Sequence, residues 1–224
     1  MAVFDKKAVD YDQWYESKLG RFADEVETKL AFSLFKPIPG MKILDVGCGT
    51  GNFSIKLVEK GCRVVGIDIS EEMLEKAREK AKLKNLDIDF LNMDAYSMNF
   101  PDENFDGVFS MAAFEFFNEP QKVYDEMYRV LKQNGYLLIG TINRQSKWGK
   151  FYISKSSREN SIFRYAHFKS LDDLKSLNRE KVIDSGECLF IPPDAKEEDI
   201  NMEFERKFSC NKRGGFICVL WKKA

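Results

Sequence analysis

From residue 41 onward the chain alternates short apolar runs with amphipathic stretches, and few architectures accept that alternation. The runs at 41–46, 63–68, 88–93, 105–110 and 136–142 have the length and composition of strands. Between them, apolar residues recur at helical spacing: Phe53, Ile55, Leu57 and Val58; then Met73, Leu74, Ala77 and Ala81; then Val123, Tyr124, Met127, Val130 and Leu131. A parallel neighbour is reached only through a long crossover, so repeated strand and helix units predict a mostly parallel sheet covered by helices. Ser70 is placed to cap the second helix, with Glu71 and Glu72 at the positive end of its dipole, and Asn134-Gly135 turns the chain into the fifth strand.

On either side of this core the pattern changes. Upstream, Leu19, Phe22, Val26, Leu30 and Leu34 predict a helix lying against the sheet. Downstream, 144–168 is basic and aromatic without a clear period, which suits a lid or binding loop. A short helix capped by Ser170 is expected over 170–177, and strands over 187–191 and 216–221, the last entered through Gly214-Gly215. At 224 residues, one domain with a substantial core is expected.

Charge and cysteine content exclude several classes of function. Lys and Arg number 35 against 36 Asp and Glu, so no bulk charge draws in a polyanion and nucleic acid is not an expected partner. The longest uncharged run, 133–143, falls far short of the roughly 20 residues of a membrane span. Asp5, Lys6 and Lys7 stand where a secretory signal needs an apolar core, and a cytoplasmic protein is expected. Five cysteines without a CxxC pair and the lone His167 give no zinc pattern, so no metal is expected.

The unusual residues collect at the carboxyl ends of the predicted strands, where ligands bind in open α/β sheets. Gly47, Gly49 and Gly51 follow the first strand and let the backbone bend tightly beside a ligand. Asp68 ends the second strand roughly 20 residues on, where a carboxylate accepts hydrogen bonds from both hydroxyls of a ribose. Asp94 ends the third, placed to accept from an exocyclic amine while the Ala95 backbone answers a ring nitrogen, which suits adenine. Taken singly, each Asp is equally readable as a turn cap. Asn52 stands where the dinucleotide fingerprint needs its third glycine, which disfavours NAD, and no phosphate-cradling GxxxxGK[ST] segment occurs.

At these residues the chain resembles the class I S-adenosylmethionine-dependent methyltransferases, and among them the small-molecule branch that includes the ubiquinone and menaquinone enzymes. The resemblance rests on Leu44-Asp45-Val46-Gly47-Cys48-Gly49-Thr50-Gly51, on Gly66-Ile67-Asp68-Ile69-Ser70 with Met73, Leu74 and Ala77, on Met93-Asp94-Ala95, and on Arg129-Val130-Leu131-Lys132 with Gly135. It implies an α/β, Rossmann-like sheet of seven strands in the order 3-2-1-4-5-7-6, the last strand antiparallel, with an N-terminal helical lid. It divides one domain, 1–224, into N-terminal helices (1–36), a cofactor core (41–143), an acceptor-side lid (144–168) and a C-terminal helix and strands (169–224). S-adenosylmethionine is the implied cofactor: Asp45 and the glycine turn toward its methionine part, Asp68 toward the ribose, Ile69 and Met73 toward the adenine faces, Asp94 and Ala95 toward the adenine edge. Cys48, Asn52 and Ala112 complete the expected cofactor contacts, and Tyr11, on one helical face with Trp14 and Tyr15, is expected to close over the methionine end.

The function expected is methyl transfer to a small, aromatic or apolar acceptor by in-line displacement. Alignment of acceptor and methyl alone can supply about 7–11 kcal/mol of the barrier, so a dedicated catalytic residue is not required. A base helps only where the acceptor must lose a proton, and the candidates are Glu115, within Ala112-Ala113-Phe114-Glu115-Phe116-Phe117, and His167 in the lid. Glu115 is as readily a structural partner of an Arg or a backbone group, and His167 an ordinary core or surface histidine. A cofactor-binding regulator without turnover and a nucleic-acid methyltransferase are the alternative readings. The second lacks both an Asp/Asn-Pro-Pro-Tyr segment and a Pro-Cys nucleophile.

Overall fold

The computed structural model describes residues 8–154, 161–210 and 212–224, with side chains from 12 onward. Two helices, α1 (Ala8–Glu16) and α2 (Lys18–Phe35), precede the core. The core then runs β1 (Lys42–Val46), α3 (Asn52–Glu59), β2 (Arg63–Asp68), α4 (Glu71–Leu83), β3 (Asp89–Asn92), β4 (Phe105–Met111), α5 (Pro120–Val130) and β5 (Leu131–Ile142). The chain closes with α6 (Lys147–Ile153), α7 (Leu171–Lys175), β6 (Val182–Cys188), α8 (Met202–Ser209) and β7 (Phe216–Lys222). The strands form one sheet in the order β3-β2-β1-β4-β5-β7-β6, and β7 alone runs antiparallel to its neighbours. Order and antiparallel last strand are those expected. Strand order reverses between β1 and β4, and the crevice at that switch point is where open α/β sheets bind their ligands.

Both faces of the sheet are covered, which is why the central strands read as near-continuous apolar runs. Successive side chains point to opposite faces, so Ile43 and Leu138 join the layer under α2 and α3, while Leu44, Leu137 and Ile139 join the layer under α5. Phe35 of α2 sits 4.3 Å from Phe109 and fills the place a side chain at Gly107 would occupy, one use of the chain's 19 phenylalanines. The Ser70 Oγ accepts from the Met73 N–H, and Met73, Leu74, Ala77 and Ala81 are buried as their spacing predicts. Among the described residues no helix is long and apolar enough to cross a membrane.

Four elements depart from expectation. The sixth strand runs Val182–Cys188, not 187–191, because Leu189 takes φ +62 and ends the ladder. Leu189 and Ile191 are then buried as loop, while the polar Asp184, Ser185 and Gly186 pair with β7. Strand β5 starts at Leu131, which pairs with Phe105 before a register shift admits the Asn134-Gly135 turn. Helices α6 and α8 emerge from stretches without a legible period, each capped by a side chain, Ser146 and Asn201.

Candidate active site

Past the end of β1 the chain makes three turns that only glycine takes without strain: Gly47 at φ +70, Gly49 at +53 and Gly51 at +77. The Gly47 and Cys48 N–H groups donate to the Ile67 carbonyl at 2.9 and 3.0 Å, which ties the turn to β2. A methyl built on Gly51 would meet Phe90 at 2.8 Å and one on Gly47 would meet Ala113 at 2.6 Å, whereas one on Gly49 would meet nothing within 4 Å. Gly49 therefore faces open space. The Asp68 carboxylate, at the end of β2, accepts from the Gly49 N–H and from the Ser70 N–H, both at 2.9 Å. Asp94, beyond β3, accepts from the Tyr96 N–H at 2.9 Å.

Gly47, Gly49, Asp68 and Asp94 line a cavity of about 1410 Å³, together with Ile69, Met73 and Ala95. Ala112, at φ +53 just after β4, lines it too. Much of the remaining lining is aromatic: Tyr152 and Phe163 rings lie 4.0 Å apart, Phe116 stacks on Phe163 at 6.1 Å, and Trp14 and Tyr15 contribute from α1. Glu115 stands there at 1% exposure, its Oε2 accepting from the Thr141 hydroxyl at 2.7 Å. Burial pushes its carboxyl up to about 7 against the opposing effects of the Thr141 hydrogen bond and the Lys169 charge. His167 lines the same cavity and is tied to Glu115 through the backbone, its N–H donating to the Glu115 carbonyl at 2.6 Å.

Three of the residues expected beside a cofactor do not line this cavity. Asp45, Cys48 and Asn52 line an adjoining cleft of about 30 Å³, which shares Tyr15, Glu27, Gly47 and Ala112 with the cavity. Asp45 is buried, accepts from the Ser54 hydroxyl at 2.6 Å, and is pushed up to about 6, first by burial and then by the charge of Asp68. The Cys48 side chain packs with Leu74, Ala77 and Phe90 as core, and burial drives its thiol well above the usual range. Asn52 accepts from the Lys80 ammonium, which also donates to Asp12 and Thr50 and so ties α1 and α4 to the turn. Tyr11 belongs to α1, but its side chain lies outside the described residues, as does the 155–160 segment of the expected lid.

Glu71 and Glu72, read from the sequence only as partners of a helix dipole, also line the cavity, and one further acid there was not singled out at all. Glu27 of α2 lines the same cavity as Glu115. Burial holds its carboxyl well above the usual carboxylate range, the charge of Asp24 pushing it further up against the opposing charge of Lys56. The available signal was an acid at helical spacing from Ala23 and Ala31 on the buried face of an amphipathic helix.

Residues 44–139 match the methyltransferase domain family. A phosphatidylethanolamine N-methyltransferase of Cereibacter sphaeroides is 34% identical over 139 residues, covering 60% of this chain and 67% of that relative. A demethylmenaquinone methyltransferase of Thermus thermophilus is 40% identical over 100 residues, 44% of this chain and 46% of the relative, so the match spans about half of that enzyme's length. Among solved structures, a methyltransferase of Thermotoga maritima described as a possible histamine N-methyltransferase shares the fold, with a TM-score of 0.77, 24% identity and coverage of 99% and 98% of the two chains.

Proposed function

The chain belongs to the class I S-adenosylmethionine-dependent methyltransferases, and from that premise we propose that it methylates a small acceptor with an apolar or aromatic body, held against the aromatic lining of the cavity. One observation carries the reading: the strand-end aspartates and the aromatic wall around Glu115 open into the same cavity of about 1410 Å³. The residues fit the donor. Gly49 leaves the backbone bare over open space, and Asp68 and Asp94 stand at successive strand ends beside it.

S-adenosylmethionine supplies a methyl carbon on a positively charged sulfur. Around it, Asp68 accepts hydrogen bonds from the ribose hydroxyls, and Asp94 with the Ala95 N–H reads the adenine edge. Ile69 and Met73 cover the adenine faces. Aromatic rings elsewhere in the lining exclude water and hold the acceptor in line, and positioning alone is worth about 7–11 kcal/mol of the barrier. Glu115, with a carboxyl near 7, holds or takes a proton at an acceptor atom that must lose one. Replacing Asp68 by Ala is expected to weaken S-adenosylhomocysteine binding at least tenfold with the fold intact. Unchanged affinity by calorimetry would sink the assignment. Methyl-labelled donor incubated with a fractionated extract tests turnover, and label must appear in the small-molecule fraction.

A further inference from the structure

We infer that the rim of the cavity formed by α6 and the 162–165 turn docks on an anionic phospholipid surface, from which an apolar acceptor enters. Docking is a property of the rim and stands apart from the methyl-transfer reading; only the entry of an acceptor rests on it.

The inner face of α6 is committed to the fold. Trp148 is buried and its indole N–H donates to the Ile191 carbonyl at 2.7 Å, while the Tyr152 ring, 4.0 Å from Phe163, joins the helix to the 162–165 turn. Lys147, Lys150, Phe151 and Ile153 are left exposed on the outer face, where the helical period sets them side by side. Phe151 is 47% exposed, Ile153 41%, and Tyr165 of the adjoining turn 43%. Phe151 and Tyr165 also line the cavity, so they stand where it meets solvent. Apolar side chains scattered singly over a surface need no explanation, but three gathered at one cavity mouth mark a surface that something covers.

The charge around them selects the partner. Among the described residues of 144–165 the charged side chains are Arg144, Lys147, Lys150 and Arg164, and none is acidic. Arg144 is paired with Asp173 at 2.9 Å, but no ion pair joins Lys147, Lys150 or Arg164 to a described acid. The Arg164 guanidinium lies over the Tyr165 ring at 4.6 Å, which keeps its charge at the same rim. The whole chain carries a charge of -1, so this positive patch is local. Apolar side chains flanked by cations match the boundary of an anionic bilayer: Phe151, Ile153 and Tyr165 enter the acyl boundary while the lysine stems lie along them and the ammonium groups reach the phosphates. A soluble acidic partner would answer the cations and leave the apolar side chains in water. Behind the rim the lining continues as Phe116, Tyr152 and Phe163, so an apolar molecule moves from lipid to cavity without crossing water.

The test is sedimentation of the full chain with phosphatidylcholine vesicles that contain, or lack, about one-third phosphatidylglycerol. Each cation near such a surface is worth about fivefold in affinity, so the anionic vesicles should bind about tenfold tighter or more, and the preference should vanish between about 0.1 and 1 M salt. Lys147→Gln together with Lys150→Gln should weaken that binding about tenfold or more. Lys60→Gln together with Lys84→Gln removes the same charge at the carboxyl ends of α3 and α4, away from the cavity, and should change it less than about twofold. Ile153→Ser should weaken it about fivefold, and the fluorescence of the Ile153→Trp variant should shift to the blue on anionic vesicles but not with soluble polyglutamate. Equal binding to the two kinds of vesicle, or none to either, overturns the inference. So does an equal loss in the two lysine pairs, which would leave only bulk charge acting, and so does polyglutamate binding as tight as vesicle binding without a blue shift, which would assign the rim to a soluble acidic partner. None of the substituted residues lines the cavity, so S-adenosylhomocysteine affinity should stay within about twofold in every variant, which also reports that each is folded. Vesicle binding by an unmodified protein that fails to bind S-adenosylhomocysteine would strike the methyl-transfer reading and leave the docking surface standing.

Discussion

At 1% exposure, with a carboxyl pushed up to about 7, Glu115 makes the stability of the protein depend on pH. Below about 4.5 the group is protonated whether the chain is folded or not, and its full contribution is present. As pH rises toward 7 the unfolded chain ionises it freely while the folded chain resists, so stability is lost across that window at about 1.4 kcal/mol per unit. Glu115→Gln removes the penalty. The variant is expected to gain on the order of 3 kcal/mol relative to the unmodified protein between pH 5 and pH 8 in urea melts, and a pH-independent difference would refute the burial argument. The glycines of the turn separate differently. Gly49→Ala pays only for its backbone angle, about 1 kcal/mol, but puts a methyl into the open space proposed for the donor, so S-adenosylhomocysteine affinity should fall more than tenfold. Gly51→Ala adds a clash with Phe90 and Ala77 and should cost about 2–4 kcal/mol of stability with a smaller effect on binding. Melts and calorimetry on the two variants decide it, and the same ranking in both assays would be wrong for this geometry. Asp68 and Asp94 were legible in the sequence because each ends an apolar run, so an acid there stands out. Glu27 was not, because α2 also carries Asp24 and Glu25, and only the folded neighbours distinguish a half-buried acid that lines a cavity from a solvated one.

Elements were legible where one face is apolar and the other is not. Helices α4 and α5 bury the residues their spacing selects, and β2 runs over the expected 63–68. Strand β6 defeated the same logic. It is an edge strand whose polar Asp184, Ser185 and Gly186 pair through the backbone, while the apolar residues after it are buried without pairing. Backbone pairing leaves no trace in side-chain type, so apolarity pointed to the wrong segment. Helix α6 has seven residues, too few to establish a period, and its clearest mark is the Ser146 cap. The attachment of α1 was likewise invisible, since it depends on Lys80 of α4 donating to Asp12 and Thr50 across long sequence separations. Lys80→Met keeps the stem and removes those donors. It is expected to cost no more than about 1–2 kcal/mol, because the pair is partly exposed. Cleavage by trypsin between α1 and α2 should nevertheless rise severalfold, and an unchanged cleavage rate would show that α1 is held by its other contacts.

On the scale of the whole molecule, the parallel core and the crevice at its switch point were readable because each strand and helix repeats one rule, and a near-zero net charge already argued against a polyanionic partner. The acceptor end was read only as a basic and aromatic stretch, since its cavity is assembled from α1, α2, the turn after β4 and the loop before α7, segments that meet only once the sheet has formed. A ligand that joins such distant segments binds the folded chain alone, so its affinity must appear as stability. At 100 times its dissociation constant, S-adenosylhomocysteine adds about 2.7 kcal/mol, which for a domain of this size corresponds to a rise of about 5–11 °C in Tm. NADH at the same concentration should give none. Asn52 replaces the third glycine, which a dinucleotide fold uses for close helix–strand packing beside the pyrophosphate, and its amide oxygen is held by Lys80. A shift with NADH equal to that with S-adenosylhomocysteine would mean that the glycine turn accepts nucleotides generally. A shift with S-adenosylhomocysteine and none with NADH would tie the glycine turn and the strand-end aspartates to the methyl donor alone.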